Sequence, residues 1–232
     1  DAKGTVALSD GTLRLEGVNA QLAGGALALR ASLDGTAASP LLAVQATLTG
    51  AELTGPLLDE PFDLTAGTLD ATVTLASHGF SPDGLLAGMT GALGLTVRGG
   101  ALSGIDLPAL SAALSAAGAA SEPAVRQALD GGSMGFDALE VKAVLAQGVV
   151  HLEQARLSAP SGGIDISGDV ALPDSRLDLR LKLRPALPPD GATVAPPDIG
   201  LRITGTPAQP QRAPMLADVI RWRAERGQQH GK

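Results

Sequence analysis

The stretch IDISGDVALPDSRLDLRLKL, residues 164–183, alternates apolar and polar side chains almost without a break. Ile164, Ile166, Val170 and Leu172 fall at every second position, with one step over Gly168. Beyond the turn LPDS, Leu177, Leu179, Leu181 and Leu183 repeat the pattern, with Asp178, Arg180 and Lys182 between them. A period of two sends successive side chains to opposite sides of an extended chain. The stretch therefore predicts a β-hairpin with one apolar face and one solvated face.

The same texture runs outward in both directions. Leu13 and Leu15 share a face in TLRLE, and a Gly-Gly turn leads to Leu27, Leu29, Ala31 and Leu33. Then come Val44, Ala46 and Leu48; Leu69, Ala71, Val73 and Leu75; and Leu93, Leu95 and Val97. Past a helical interruption follow Leu139, Val141, Ala143 and Leu145, the run VVHLEQARL, the opening hairpin, and Ile199, Leu201 and Ile203. The separators (SDG, GG, LDG, LTG, SHGFSPDG, RGG, AQG, PSGG) are turn formers and use many of the 30 glycines. Such short connections predict antiparallel neighbours joined as a meander.

Three segments depart from period two. In GIDLPALSAALSAAG, Asp106 is placed to cap a helix with Leu107, Leu110, Leu114 and Ala117 at helical spacing and Gly118 as terminator. SEPAVRQALDGG predicts a second short helix with Ser121 as cap and Val125 and Leu129 on one side. APMLADVIRWRAERG predicts a last helix that docks Leu216, Val219 and Ile220 on the sheet, with Arg221, Arg223 and Arg226 around Trp222. The proline-rich stretch 185–198 reads as a stiff connector.

Composition narrows the function. Leucine and alanine carry the apolar content, while there is no tyrosine, one tryptophan and three phenylalanines. Closed cores use aromatic rings for volume, so this makeup suits a surface of aliphatic side chains. It also disfavours a glycan-binding sandwich, since sugar sites rely on aromatic platforms. A net charge of −7 opposes nucleic-acid binding, which needs clustered Lys and Arg. Without cysteine there is no disulfide and no thiolate metal site. His78, His151 and His230 lack ligand spacing, so neither a metal nor another cofactor is expected. No nucleophile elbow or P-loop is present, and the reading is of a chain that is not an enzyme.

One ordered set of features carries a family resemblance. It comprises Gly104, Asp106 and Leu107 opening a helix; Phe136, Leu139, Gly148 and Val149; Gly168, Val170, Leu172, Leu177 and Asp178; then Gly205, Thr206 and Pro210. This order resembles the C-terminal region of the AsmA family, related to the TamB and YhdP bridge-like lipid-transfer proteins. Residues 11–99 share the hairpin texture with fewer diagnostic positions. The resemblance implies an elongated, taco-like β-groove in the periplasm of a Gram-negative bacterium. It also implies a part in phospholipid transport between the inner and outer membranes or in outer-membrane homeostasis. Anchoring to the inner membrane is expected through a segment not present in this chain.

Together these readings predict a mainly β fold: a curved antiparallel meander forming an apolar groove, with a two-layer β-sandwich as the alternative. Its expected parts are a meander over 1–99, a helical insertion over 100–132, a second meander over 133–205, and a C-terminal helix and tail over 206–232. Phospholipid acyl chains are the expected partner. Their candidate contacts are Leu13, Leu15, Leu27, Leu29, Val44, Leu48, Leu69, Val73, Leu75, Leu95, Val97, Leu139, Val141, Leu145, Ile164, Ile166, Leu177, Leu179, Leu181, Ile199, Leu201 and Ile203. The rival reading is a scaffold that offers a sheet edge to outer-membrane assembly proteins by β-augmentation.

Overall fold

A computed structural model describes residues 2–58, 60–115, 121–186 and 196–229. Gly118, Ala117, most of the proline-rich connector and His230 lie outside the described residues. The chain runs β1 (Ala2–Ser9), β2 (Thr12–Leu22), β3 (Gly25–Asp34), β4 (Leu41–Leu53), β5 (Asp63–His78), α1 (Pro82–Ala87) and β6 (Thr90–Ser103). Then follow α2 (Leu107–Ser115), α3 (Ser121–Asp130), β7 (Ser133–Ala146), β8 (Val149–Ala159), β9 (Gly162–Ala171) and β10 (Arg176–Pro185). It closes with β11 (Ile199–Gly205), β12 (Pro210–Met215) and α4 (Ala217–Gln229).

All 12 strands form one antiparallel sheet whose spatial order is the chain order. The sheet is open and curled, with β1 and β12 as its two edges. The expected curved meander is what forms, and the strands make a single layer, not a sandwich. The opening hairpin is β9 paired with β10, with Ile164 opposite Leu183, Ile166 opposite Leu181 and Val170 opposite Leu177. Residues directly opposite share a face, so pairing carries the apolar pattern from strand to strand.

Where a strand bulges, the phase is conserved. In β4, Leu48 pairs with Ala71 but Ala51 pairs with Leu69, so one extra residue is absorbed between them. Without it Ala51 would point to the solvated side; instead it is buried. Gly50 takes the left-handed conformation there (φ 69°), which side chains disfavour. The Gly50 N–H donates to Asp70 Oδ1 at 2.8 Å, and Arg98 Nη1 donates to Asp70 Oδ2 at 2.7 Å. Similar shifts occur in β2, between Leu15 and Val18, and in β8, between Leu152 and Ala155.

The helices of the insertion lie on the apolar face. Asp106 caps α2, its Oδ1 accepting the Ala109 N–H at 2.8 Å, as its position predicts. Leu107, Leu110 and Leu114 of α2, with Val125 and Leu129 of α3, are buried, and α2 packs on β7 and β10. The core they share with the sheet includes Val97, Leu139, Leu157, Ile164, Leu183, Ile199 and Leu201. Phe136 supplies bulk where its partner Gly100 has none; a Cβ at Gly100 would overlap the ring.

Several elements differ from expectation. Residues 206–232 hold more than a helix and tail: β12 extends the sheet despite Pro210 and Pro214. An edge strand tolerates proline because the missing donor can fall on the unpaired side. SHGFSPDG contains α1, six residues capped by Ser81 with Pro82 in its first turn, too short to show a helical period. In α4 the docked set is Leu216, Val219 and Trp222, while Ile220 is 53 % exposed. Trp222 follows Val219 by three positions, which is the spacing that shares a helix face.

The core under α2 and α3 and the apolar residues outside it should respond differently to truncation. Leu201→Ala, at a residue 1 % exposed, is expected to lower unfolding free energy by ~2–5 kcal/mol. Leu15→Ala, outside that core, should change it by less than ~1 kcal/mol. Urea denaturation of both variants checks this, and equal losses would contradict the partition.

Candidate functional site

Cross-strand pairing joins the apolar faces into continuous rows. One row runs from Val18 through Leu29, Ala46, Val73, Leu93, Ala143, Leu152, Gly168 and Leu179 to Ile203. Eleven steps between neighbouring strands, at ~4.8 Å each, make the sheet about 53 Å across along its curl. The expected contacts Leu13 and Leu15 also face β1, where Leu8 and Val6 stand opposite them.

Burial divides those contacts into two groups. Leu13 is 42 % exposed, while Leu15, Leu27, Leu29, Val44, Val73 and Leu75 are partly buried and lie outside the core cluster. Leu48, Leu95, Val141, Ile166, Leu177 and Leu179 are also partly buried but pack against the margin of the core. By contrast Leu69, Val97, Leu139, Ile164, Leu181, Ile199, Leu201 and Ile203 belong to the core cluster shared with α2 and α3. Leu145 is buried outside that cluster, towards the end where the Gly148 N–H donates to Met89 O at 3.0 Å. The second group does not face an open groove, because the chain's own helices occupy that space. Sequence periodicity shows which face is apolar, but not which part of that face a later element covers.

The opposite face is polar and paired. Arg202 donates twice to Asp178 at 2.9 Å, His151 Nδ1 lies 2.7 Å from Asp169 Oδ1, and Asp165 bridges Arg156 and Arg184. Exposed pairs of this kind contribute little to stability individually. Three shallow depressions, of about 730, 550 and 400 Å³, lie on this side. The first is lined by Arg14, Glu16, Arg30 and Gln45, and the third by Thr72, Thr96, Glu140 and Lys142, among others. Leu15 and Val44 also line the first, and Leu48, Leu95 and Val141 the third, beside those polar groups.

One charged side chain sits on the apolar face. Arg212 pairs opposite Ile203, and its Nη1 donates to Gly104 O at 2.7 Å and to Leu129 O at 2.9 Å. Its guanidinium lies 3.9 Å from the centroid of the Phe62 ring, a cation–π contact. Burial pulls its pKa below the ordinary arginine value, and the Coulombic effect of Asp130 acts the other way. The sequence reading missed Arg212 because it assigned no strand to residues 210–215; the "GT-x-x-x-P" run was the available signal.

A model of the AsmA family matches residues 1–155. The chain belongs to the AsmA family. No curated protein and no solved structure matches it. The matched stretch takes in the early strands, which carried few diagnostic positions, together with Gly104, Asp106, Leu107, Phe136, Leu139, Gly148 and Val149. Gly168 to Pro210 of the ordered set lie beyond it. AsmA-family membership fits lipid transport or envelope biogenesis at the family level, and the family is not known as enzymatic. AsmA-family proteins are associated with the cell envelope. No helix among the described residues is long and apolar enough to cross a membrane.

The Asp70 bracket over the β4 bulge yields a pH dependence. The Gly50 N–H, and after it Arg98, hold the Asp70 carboxyl below its ordinary value. The folded protein therefore takes up this proton less readily than the unfolded chain. The resulting stabilisation is complete above the unfolded carboxylate value of ~3.9 and fades as pH falls through the lower folded value. Asp70→Asn is expected to flatten the fall in urea midpoint between about pH 5 and 3. An unchanged pH slope in the variant would rule the bracket out.

Proposed function

We propose that this AsmA-family chain is a non-enzymatic β-groove module that shields phospholipid acyl chains during transport between the inner and outer membranes, in the periplasm. The observation that supports the reading is the aliphatic face of β2–β6 outside the core cluster, continuous across paired strands through Leu15, Ala31, Val44 and Leu75 and through Val18, Leu29, Ala46 and Val73. Leu15, Leu29, Val44 and Val73 are its central contacts. A hydrocarbon tail needs apolar wall and no directional partner. Each methylene removed from water contributes ~0.8 kcal/mol, so ten against this face give roughly 8 kcal/mol before ordering is subtracted. Leucine and valine surfaces offer no single deep pocket, which suits a ligand that slides. The polar face keeps the sheet soluble on its other side.

A specific observation also favours the scaffold reading. The β1 edge is unpaired, with Val6 67 % and Leu8 75 % exposed, and no proline interrupts it. The β12 edge, by contrast, carries Pro210 and Pro214. Only the first edge suits addition of a strand from an assembly partner.

Photocrosslinkers placed at Val44 on the apolar face and at Val6 on the β1 edge distinguish the two, lipid capture at Val44 supporting the groove and protein capture at Val6 the scaffold. For the groove itself, a fluorescent fatty acid is the direct probe. Leu29→Asp combined with Val44→Asp is expected to weaken its binding at least ~10-fold, since a carboxylate replaces wall with a group that holds water. Far-UV circular dichroism should stay unchanged. No uptake by the parent chain, with no phospholipid seen by native mass spectrometry after detergent-free purification, would sink the acyl-chain reading.

A further inference from the structure

The apolar row that passes through Leu152, Leu179 and Ile203 ends, on the last strand, at a cation. Arginine at that place needs partners, because a charge set against buried isoleucine is otherwise strongly disfavoured. Its partners are not scattered. Gly104 is where the chain leaves β6 for the helical insertion, and Leu129 lies in the last turn of α3. Carbonyls in a last helical turn lack intrahelical donors and favour a positive charge. Phe62, beneath the guanidinium, leads into β5. One side chain on β12 thus holds the entry and the exit of the insertion and reaches across to the fifth strand.

The neck of the insertion is tied as well. The Gly104 N–H donates to Gly132 O at 2.8 Å, and the Asp106 N–H to Ala128 O at 2.9 Å. Beyond the neck, Ile105, Leu107, Leu110, Val125 and Leu129 are each no more than 1 % exposed. A lid that swings aside would take all five into water at once, and their depth of burial opposes this.

Resting on the acyl-chain reading, we propose that α2 and α3 form a fixed stop in the apolar groove and that Arg212 is the positioning residue that holds the stop in place. Hydrocarbon lies along the part of the apolar face that holds Leu15, Leu29, Val44 and Val73 and ends at the helices. The groove is therefore blind at the strand ends that hold Leu69, Val97, Leu139, Ile164, Leu183 and Ile199, and guests enter and leave at the opposite strand ends, around Leu15, Val44 and Val73.

Palmitic acid carrying a diazirine in its chain, photolysed on the purified full chain and mapped by peptide mass spectrometry, tests the boundary. Label is expected on peptides bearing Leu29, Val44 and Val73, and not on those bearing Leu183 or Leu201. In Arg212→Ala the label should spread to the Leu183 and Leu201 peptides. Amide exchange of α3 should rise at least ~10-fold, as expected when a charge-assisted pair of hydrogen bonds is lost. Arg212→Lys, which keeps the charge but not the forked donors, should spread the label part-way and serves if the alanine variant does not fold. Leu216→Ala, a destabilising change away from these bonds, should not move the boundary. Label on Leu183 or Leu201 in the parent chain overturns the stop. An unmoved boundary in both Arg212 variants overturns the role of Arg212. Label nowhere defeats the acyl-chain reading itself, and the stop with it.

Discussion

An antiparallel ladder allows each strand one phase, and the phase of one strand fixes that of its neighbours. Residues paired across a ladder share a face, so a single slip would turn a whole strand's leucines to water. This protein carries the phase across a 12-stranded sheet, including the places where a strand takes in an extra residue. At β4 the extra residue falls on a glycine held by the carboxylate of Asp70. The bulge bends the strand and leaves Ala51 on the buried side. Everything else in the molecule presupposes that coherence, since an acyl chain or a helix can lie on the sheet only if the apolar rows do not break.

With one coherent apolar face, the remaining question is what lies on it. At the strand ends that hold Leu69, Val97, Leu139, Ile164, Leu183 and Ile199 the answer is internal: α2, α3 and Leu216 and Val219 at the start of α4 close the contact into a core. The core cluster does not extend to Leu15, Leu29, Val44 and Val73 at the opposite strand ends. The same residue chemistry thus serves two ends within one sheet, as packed core and as wall outside it. Arg212 stands where the two meet the last strand, its charge satisfied by carbonyls at the neck of the insertion and by an aromatic ring.

Legibility followed the strength of local signals. The hairpin of residues 164–183 could be read directly, because period two and a turn leave no competing structure. The α2 stripe was as clear, with Asp106 before it and three buried leucines on one side. Elements with weak or contrary local signals were not legible. Proline argues against a strand unless that strand is known to lie at an edge, and being an edge is a property of the whole sheet, which hid β12. Six residues of α1 complete too few turns to repeat. In α4 the docking of Trp222 in place of Ile220 depended on which way the helix was rolled against the core. Among the candidate contacts, membership of the apolar face was readable from alternation, whereas the partial burial of Leu29 and the full burial of Leu201 were not.

What the chain's order of residues determined by itself was the alternation, the turns between strands and the helical stripe, because each arises within about ten residues through backbone geometry and side-chain spacing. Which stretch of the apolar face lies outside the core, and that an arginine from the far edge ties the neck of the insertion, only the tertiary structure decided. Gly104 and Arg212 are separated by 108 positions. No local pattern encodes a contact at that distance; it exists because the sheet curls its last strand back to the helices that interrupt it.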